Sequence, residues 1–290
     1  MRRRCILITG TSGRLGSALV TSLAGKHDIV QLSLEEPKSS EVCGVGRVFV
    51  GSILDPDVIH RAYDGVDAVI HSAAIPGNSK PNRRTVETNV LGTFHMLEEA
   101  GERERVEQFI YISSICWHGL HFGPVDRRLP HYLPLNEAHP SQAIDVYACS
   151  KFQAEYWCKN YVERFHKPVV AIRPSYIVPR DLEPTFPARK AQDTPHLHDY
   201  VGVGDLVDGI ERALDYEPDG GFDRFLFNAE DQWSTTPSRE LAERLFPSAR
   251  LDYEKLNAAD GFGAFVDCTH AREKLGWTPK FRCQREGSRV

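Results

Sequence analysis

The chain has 290 residues, of which 41% are hydrophobic and 26% charged, so it is long enough for one large domain or two unequal ones. Its 35 Lys and Arg residues are spread along the chain and are outnumbered by 40 Asp and Glu residues, which argues against nucleic acid as the main partner. The longest apolar runs cover only a few residues, whereas a membrane span needs about 20, so we expect no membrane segment.

Short apolar runs rich in β-branched residues alternate with helical patterns through the first part of the chain. Apolar residues recur at three-to-four spacing from Leu15 to Leu23, and Gly25 ends that helix. Asp55 and Pro56 begin the next helix as N-cap and first helical residue. This alternation predicts an α/β fold with a Rossmann-type, doubly wound parallel sheet. The predicted strands are Cys5–Thr9, Ile29–Leu32, Val48–Val50, Ala68–His71, Phe109–Ser113 and Val169–Ile172.

The rest of the chain has a weaker pattern. Prolines and the lack of a period between Ile115 and Ile144 predict a long structured loop over the sheet. Later patterns predict a helix over Leu206–Leu214, a strand over Phe225–Asn228 and a helix over Ser238–Leu245. We therefore divide the chain into a Rossmann domain over 1–173 and a small, shortened mixed α/β region over 174–290, partly packed back on the first.

Three glycines, Gly10, Gly13 and Gly16, lie where the first strand turns into a helix. Gly10 permits the tight turn, Gly13 lets backbone N–H groups approach a pyrophosphate, and Gly16 allows close packing of the helix. The N-terminus of the helix favours an anion. In this strand–turn–helix setting, the pattern predicts a dinucleotide site rather than an ordinary glycine turn.

Two further features predict chemistry. Tyr147 and Lys151 stand four residues apart, which puts a phenol and an ammonium group on one face of a helix. Base action at neutral pH requires lowering the tyrosine pKa from near 10 to about 7, which Lys151 and an oxidised nicotinamide can supply. Ser113 and Ser114 end the fifth strand, at the edge where doubly wound sheets bind ligands. Either feature alone is more typical of a surface helix or a turn, but together with the glycine loop they predict a catalytic site.

With these motifs in this order, the chain resembles an extended short-chain dehydrogenase/reductase of the NAD-dependent epimerase/dehydratase family. The resemblance runs from Cys5 to about Pro174, resumes over 198–205, and touches the C-terminal signature of the family at 274–279. It implies NAD(P) binding by 1–173 and substrate binding by the shortened region that follows. Further family-like elements are His71-Ser72-Ala73-Ala74 and Asn89-Val90-Leu91-Gly92-Thr93.

The resemblance also implies roles for single residues. Tyr147 is the proton donor or acceptor, Lys151 grips the nicotinamide ribose and lowers the pKa of Tyr147, and Ser114 hydrogen-bonds the reacting oxygen. As hydride leaves a carbinol carbon, Tyr147 takes the hydroxyl proton and Ser114 steadies the developing charge. The cofactor is expected to contact Gly10, Ser12, Gly13, Arg14, Leu15, Gly16, Ser52, Ile53, Ser72, Ala73, Ala74, Asn89, Tyr147 and Lys151. The substrate is expected to contact Ser114, Ile115, His118 and Tyr176.

Two departures from the family concern the cofactor. Ser52 stands where family members carry an Asp that receives the adenine amino group, so it would accept that bond more weakly. The second strand ends without the usual ribose-binding acid. Glu35 and Glu36 would repel a 2′-phosphate, whereas Lys38 and Arg14 would attract it. The sequence favours NAD and leaves NADP open.

Other departures concern the substrate. Ser114 is followed by Ile115-Cys116, where the dehydratases have an Asp-Glu pair, so sugar dehydration is not expected. Tyr176 replaces an Asn that binds the diphosphate of nucleotide sugars, and His198 follows Pro174 by only 24 positions. Both features weaken a nucleotide-sugar substrate. The short segment is similar to that of uronate dehydrogenases, although those enzymes follow the catalytic Ser with Asn-His.

No metal site, secretion signal or disulfide framework is predicted. An odd total of seven cysteines without Cys-x-x-Cys spacing favours reduced thiols and a cytoplasmic location. The apolar stretch near the N-terminus is too short for a signal peptide. The resemblance implies a homodimer formed through the helices bearing Asn89 and Tyr147. The histidine pairs without a clear carboxylate partner, which are weak metal candidates, are His118 with His121 and His196 with His198.

We therefore predict an NAD(P)-dependent oxidoreductase or epimerase that transfers hydride at a secondary alcohol or ketone of a sugar or sugar-derived substrate, with Tyr147 as acid/base. The nearest alternative is a free-sugar or uronate dehydrogenase with net reduction of NAD. An alternative of another class is a non-catalytic cofactor-sensing protein. The joint presence of Ser114, Tyr147 and Lys151 argues against that last alternative.

Overall fold

A computed structural model describes residues 2–37, 42–77, 82–122, 129–189 and 197–285. Lys38 and His196, both named above, lie outside these ranges. The strands are β1 (Cys5–Thr9), β2 (Asp28–Ser33), β3 (Arg47–Val50), β4 (Ala68–His71), β5 (Gln108–Ile112), β6 (Tyr132–Leu133), β7 (Val169–Pro174), β8 (Tyr176–Val178), β9 (Tyr200–Gly202), β10 (Phe222–Phe227) and β11 (Arg250–Leu251).

Seven of these strands form one sheet in the order β10–β7–β5–β4–β1–β2–β3, and every neighbouring pair is parallel. The chain winds outward from β1 in both directions, so ligands are expected beyond the carboxyl ends of the strands, near β1 and β4. The α/β fold with a doubly wound parallel sheet is confirmed. Each of the six strands predicted up to residue 172 is present, with bounds within two residues of those expected.

The helices cover both faces of this sheet. They are α1 (Arg14–Leu23), α2 (Pro56–Ala62), α3 (Asn82–Val86), α4 (Thr93–Glu102), α5 (Val146–Phe165), α6 (Val203–Ala213), α7 (Ser238–Leu245), α8 (Tyr253–Leu256), α9 (Ala258–Gly261) and α10 (Thr269–Leu275). A π-helix over Glu87–Gly92 joins α3 to α4. Within the described residues, no helix has the length and apolarity that crossing a bilayer requires.

Alternation along the strands produces two core layers. On β1, Ile6 and Ile8 point to the layer that contains α1, α6 and α10, whereas Leu7 points to the layer that contains α2, α4 and α5. The start of α2 is as predicted, because the Asp55 carboxylate accepts the N–H groups of Asp57 and Val58. The central strands β1, β4, β5 and β7 are thus buried between two layers of helices, as is typical of a parallel sheet, whereas the edge strand β3 has no buried residue.

The chain after residue 173 also builds the main sheet. Its strand β10 pairs in parallel with β7, and its helix α6 packs against α1. The predicted strand over Phe225–Asn228 starts three residues earlier than expected, and the predicted helix over Leu206–Leu214 is α6. The helix over Ser238–Leu245 has the predicted bounds. The division at residue 173 stays a prediction.

The sequence analysis missed four strands of two or three residues each. These are β8 and β9, which pair in parallel, and β6 and β11, which pair in parallel and anchor part of the predicted 115–144 loop. That loop begins with a short 3-10 helix over Ile115–His118. Strands this short hold too few residues for an alternating pattern to appear.

The two later family-like motifs contact each other. The Asp205 carboxylate accepts the backbone N–H groups of Lys280 and Phe281, both at 2.8 Å, and its backbone carbonyl accepts the Trp277 indole N–H at 2.8 Å. Trp277 is fully buried, with its ring 4.5 Å from that of Phe227. The C-terminal segment is thereby fastened to α6 and the sheet.

Candidate active site

A cavity of about 760 Å³ opens at the carboxyl edge of the sheet. Its wall includes residues that directly follow β1, β4, β5 and β7. This size suits a small-molecule ligand. The cofactor motif and the catalytic motif therefore border one space. The predicted site residues on its wall are Gly10, Gly13, Arg14, Leu15, Gly16, Ser72, Ala74, Ser114, Ile115, Tyr147, Lys151 and Tyr176.

The glycine loop leaves no room for side chains. Gly10 has a φ of +72°, and a Cβ on it would lie 2.9 Å from the Cα atom of Ala73. A Cβ on Gly16 would lie 2.2 Å from the Gly10 carbonyl oxygen, which also accepts the Gly13 N–H at 2.9 Å. The loop thus presents backbone and the N-terminus of α1 to the cavity, with the Arg14 side chain beside it. This cradle fits the pyrophosphate of a dinucleotide.

A buried hydrogen-bond chain holds the floor of the site. Thr93 Oγ1 donates to the Asn89 carbonyl at 2.8 Å, so at 3.0 Å it accepts the N–H of His71 Nε2. His71 Nδ1 then accepts from Thr9 Oγ1 at 2.8 Å, and Thr9 Oγ1 accepts the N–H groups of 72–73. Burial lowers the pKa of His71 to about 3, so the ring is neutral at physiological pH.

Asn89 lies behind the cavity rather than on its wall. Its side chain accepts the Ile75 N–H at 2.8 Å and donates to the Ile75 carbonyl and to Ser150 Oγ, both at 3.1 Å. It is 1% exposed and belongs to the π-helix. The Asn89 side chain therefore connects the loop after β4 to α5 by hydrogen bonds.

Four other predicted cofactor residues, Ser12, Ser52, Ile53 and Ala73, are also off this wall. The Ser12 N–H donates to Ser33 Oγ at 3.1 Å, and Ser33 Oγ donates to Ser12 Oγ at 2.7 Å. Ser52 Oγ accepts the N–H two residues along the chain at 3.1 Å, and the Ile53 side chain occupies the space beside Gly92. Their contact with a cofactor stays a prediction.

The three predicted catalytic residues lie together. Tyr147, in the first turn of α5, shares a side-chain hydrogen bond with Ser114. The Lys151 Nζ atom lies 5.8 Å from the centre of the Tyr147 ring and donates to the Ile112 carbonyl at 2.8 Å. Ser114 Oγ also accepts the Cys116 N–H at 3.1 Å. A phenol, a hydroxyl group and an ammonium group thus share one side of the cavity.

The electrostatics of this group differ from the expectation in one respect. Burial raises the pKa of Tyr147, the nearby Cys116 thiol raises it further, and the hydrogen bond with Ser114 opposes both. With only the protein's own groups present, the pKa of Tyr147 is therefore raised, whereas the sequence analysis predicted that Lys151 lowers it. Burial also lowers the pKa of Lys151 to about 8, although Glu155 opposes that change. Burial is the largest cause of both pKa shifts.

A buried ion pair that the sequence analysis did not identify supports the catalytic group. Arg173 donates from Nε and Nη2 to the Glu155 carboxylate at 2.8 and 2.6 Å, and Ser113 Oγ donates to the same carboxylate at 2.6 Å. The Arg173 guanidinium lies 3.5 Å from the centre of the Trp117 ring. Since Glu155 belongs to α5 and Ser113 follows β5, the pair holds the helix of Tyr147 against the strand end of Ser114.

His118 requires a correction. It is fully buried, lies outside the cavity wall, and packs its ring against Trp117 and His139 at 5.1 and 5.6 Å. Burial and the Arg173 guanidinium hold its pKa well below the usual value. The predicted contact of His118 with substrate is therefore not supported, because its neighbours in the core enclose it.

Residues absent from the prediction complete the wall. His121 Nε2 lies 2.8 Å from Asp199 Oδ1, and both residues border the cavity. Phe122 and Trp233 add aromatic surface, and the Phe122 ring lies 6.3 Å from that of Tyr147. Asp199 belongs to the family-like 198–205 motif, whereas the sequence indicates His121 only as a weak metal candidate. Because 78 positions separate His121 from Asp199, no local sequence pattern indicates that they pair.

A model of the NAD-dependent epimerase/dehydratase family matches residues 6–221. A uronate dehydrogenase of Pseudomonas syringae pv. tomato is 27% identical over 263 residues, which cover 90% of this chain and 85% of the relative. A uronate dehydrogenase of Pseudomonas putida is 28% identical over 267 residues, covering 92% and 89%. A solved short-chain dehydrogenase/reductase superfamily protein of Agrobacterium tumefaciens with bound NAD aligns with a TM-score of 0.72 at 20% identity, covering 96% of this chain and 93% of that one, which shows a common fold.

Proposed function

The chain belongs to the NAD-dependent epimerase/dehydratase family, and we propose that it is an NAD-dependent oxidoreductase that transfers hydride at a secondary alcohol or ketone of a sugar. One observation carries this proposal. A single cavity is bordered by the glycine loop at 10–16 and by Ser114, Tyr147 and Lys151. A dinucleotide held on the loop and a substrate held against Tyr147 can therefore meet.

The chemistry follows from these residues. NAD supplies the hydride acceptor when it is bound. Tyr147 takes the proton of the substrate hydroxyl group as its carbon is oxidised, and Ser114 hydrogen-bonds the same oxygen. Because burial raises the pKa of Tyr147, base action requires positive charge nearby, which Lys151 and an oxidised nicotinamide provide. In the reverse direction, the protonated Tyr147 is already suited to donate to a ketone.

We infer that the substrate is a free sugar or a sugar acid such as a uronate, not a nucleotide sugar. Among the described wall residues, the cationic side chains are Arg14, Lys151 and His121. The first two serve the proposed cofactor, and His121 is paired with Asp199. A diphosphate would therefore gain little compensation from this wall. The uronate dehydrogenases, which align over about nine-tenths of this chain, support the same substrate class.

The test is a substrate panel of aldoses, uronates and nucleotide sugars, with purified protein, NAD and detection of NADH at 340 nm. We expect NADH to accumulate with a free aldose or a uronate and not with a nucleotide sugar. An epimerase would return hydride to its substrate, so inversion of a nucleotide sugar without NADH would overturn the dehydrogenase assignment.

A tyrosine variant tests the assigned chemistry. We expect Tyr147→Phe to lower kcat by about 10² to 10⁴, because the proton acceptor is lost. The control is Tyr156→Phe, on the same helix but 66% exposed, which keeps normal turnover. Unchanged turnover in Tyr147→Phe would show that this mechanism is wrong.

We also propose that the protein acts as a homodimer in the cytoplasm. Phe152 and Tyr156 project from α5 and are 44% and 66% exposed, and Val86 and Leu91 on the neighbouring helical segment are similarly exposed. Apolar side chains grouped on adjacent helices are typical of an interface. The seven free cysteines favour a reducing compartment.

A further inference from the structure

We propose that the substrate stacks on the aromatic ring of Tyr176, so that the protein binds its sugar in the closed-ring form. This inference rests on the function proposed above and concerns the way in which that substrate is recognised. The resemblance to the family implies only that Tyr176 contacts substrate. Its exposed surface on the cavity wall and the aromatic side chains packed around it indicate the chemistry of that contact.

Tyr176 lies on the catalytic side of the cavity. It begins β8, which follows β7 after Ser175, and β7 is the neighbour of β5, the strand that leads to Ser114. Ile112 of β5 pairs with Ile172 of β7, so the two chains leave the same edge of the sheet side by side. The glycine loop follows β1, which is three strands away from β7. A substrate that reaches Ser114 therefore comes closer to Tyr176 than the pyrophosphate site does.

Tyr176 combines accessible surface with a place on the cavity wall. The residue borders the cavity and is 46% exposed, whereas its aromatic neighbours Phe186 and Tyr200 are 5% and 0% exposed. An aromatic ring attracts the C–H groups of a ligand by dispersion and through the negative charge of its face. The exposed surface of Tyr176 therefore suits an apolar face of a ligand and not a phosphate group.

Other aromatic side chains hold the Tyr176 ring in place. Its centre lies 6.4 Å from that of Phe186, with the planes 21° apart, and 5.6 Å from that of Trp233, with the planes 85° apart. Trp233 in turn packs against Phe186 at 5.8 Å and against Tyr200 at 6.1 Å. The Tyr200 hydroxyl group accepts the Cys283 N–H at 2.6 Å. A ring held in this way loses little entropy when a ligand packs against it.

The backbone at Tyr176 is held as well. The N–H group of the preceding Ser175 donates to the Phe227 carbonyl at 3.0 Å, which fastens this segment to the end of β10. Tyr176 itself pairs with Tyr200 in the parallel ladder of β8 and β9. Because backbone and ring are both restrained, the stacking surface exists before a ligand arrives.

A flat and restrained ring selects the shape of its ligand. A closed sugar ring carries C–H groups on its faces while most of its hydroxyl groups point outward around the rim, so one face can lie on Tyr176. An open-chain polyol has no such face, and it would lose rotational freedom in presenting its C–H groups together. The stacking surface therefore favours the closed ring of an aldose or a uronate over an open chain with the same configuration.

The experiment compares two variants that differ in the aromatic ring. Tyr176→Phe keeps the ring, whereas Tyr176→Leu replaces it with an apolar side chain that has no flat face. For the best sugar of the panel we expect the KM to be about tenfold higher in Tyr176→Leu than in Tyr176→Phe, with kcat and the Kd for NAD within about threefold of each other. The matched control is Tyr253→Leu, which should keep the wild-type KM, because Tyr253 is 44% exposed but is not on the cavity wall.

Two results would overturn the proposal. One is an equal KM in Tyr176→Leu and Tyr176→Phe proteins that both have normal circular dichroism and normal NAD affinity. The other is an equal Kd for a sugar and for the open-chain alcohol of the same configuration. Should Tyr176→Leu fail to fold, Tyr176→Met, whose flexible side chain also lacks a ring, replaces it under the same criterion.

A binding measurement tests the ring form and separates this inference from the proposed function. Tyr147→Phe protein, chosen to prevent turnover, is titrated calorimetrically in saturating NAD with D-galacturonate, D-glucuronate and L-arabinose, and with their open-chain alcohols L-galactonate, L-gulonate and L-arabinitol. We expect at least one sugar to bind about tenfold more tightly than its alcohol, and Tyr176→Leu to remove most of that difference. If this is found but wild type produces no NADH, only the proposed function fails. If none of the three sugars binds, this inference fails as well.

Discussion

At the scale of a single residue, burial governs the pKa of Lys151, whose charged side chain is almost completely buried. Its ammonium group donates to the Ile112 carbonyl and lies 5.1 Å from the centre of the Tyr111 ring. Glu155, one turn further along α5, accepts hydrogen bonds from Arg173 and Ser113, so its negative charge is not balanced by Lys151 alone. Burial therefore dominates, and the pKa of Lys151 falls from 10.5 to about 8.

This lowered pKa predicts a dependence of stability on pH. Between pH 8 and 10.5 the unfolded chain holds a proton on Lys151 that the folded protein has released, so the free energy of unfolding rises with pH across this range. Below pH 8 the cost of burying the charge is fully present, and the total change is about 3 kcal/mol. Urea unfolding at pH 7, 9 and 10.5 measures the difference in the free energy of unfolding between wild type and Lys151→Met. A difference that is constant with pH would contradict the prediction.

At the scale of elements, the turn from β1 into α1 is the most tightly constrained part of the site. The carbonyl oxygen of Gly10 accepts the Gly13 N–H and also occupies the space where a side chain at 16 would begin. The loop is further held by Thr9, which accepts the two N–H groups that follow His71. Glycine at 16 is therefore a packing requirement as well as a cofactor motif.

A methyl group added at position 16 of this turn is expected to weaken NAD binding. In Gly16→Ala the new Cβ would meet the Gly10 carbonyl oxygen at 2.2 Å, so the loop must shift, and we expect the Kd for NAD to rise at least tenfold. Isothermal titration with NAD measures this change. The control is Gly25→Ala, just beyond the end of α1, where a Cβ meets nothing within 4 Å. Equal NAD affinity in the two variants would refute the packing argument.

At the scale of the whole molecule, both parts of the chain build the cavity. The glycine loop, Ser114 and Tyr147 come from the first 173 residues, whereas Asp199 and Trp233 come from the rest. The pairing of β10 with β7 and the packing of α6 against α1 join the later part to the sheet. Residues from both sides of position 173 therefore line one cavity.

The proposed dimer makes a further prediction at this scale. We expect the double variant Phe152→Lys, Tyr156→Lys to be monomeric, because charges on the exposed face of α5 would have to be buried in the interface. Sedimentation velocity at micromolar concentration measures the oligomeric state. Tyr253→Lys, a comparably exposed aromatic position on α8, should stay dimeric. A monomeric wild type would refute the dimer.

Local pattern was enough for the main sheet and much of the site. The apolar runs at Cys5–Thr9 and Ala68–His71 coincide with β1 and β4, because a buried parallel strand is continuously apolar and ends at polar or glycine positions. The glycine loop and the Tyr147–Lys151 spacing depend only on neighbours in sequence, so they too were readable. His118 was misplaced because nothing local shows that Trp117, His139 and Arg173 enclose it.

The sequence by itself determined the doubly wound sheet, since periodicity and turn chemistry are properties of short stretches of chain. Its motifs were also enough for the resemblance to the family and for the three residues proposed for catalysis. Only the tertiary structure decided which residues share the cavity. The pairs His121–Asp199 and Glu155–Arg173 join residues 78 and 18 positions apart. The charge of Glu155 raises the pKa of Lys151 against burial, and the charge of Arg173 lowers that of His118. Desolvation and contact between distant residues arise only when the chain is folded, so the part of the wall formed by His121, Asp199 and Trp233 could not be predicted from the sequence.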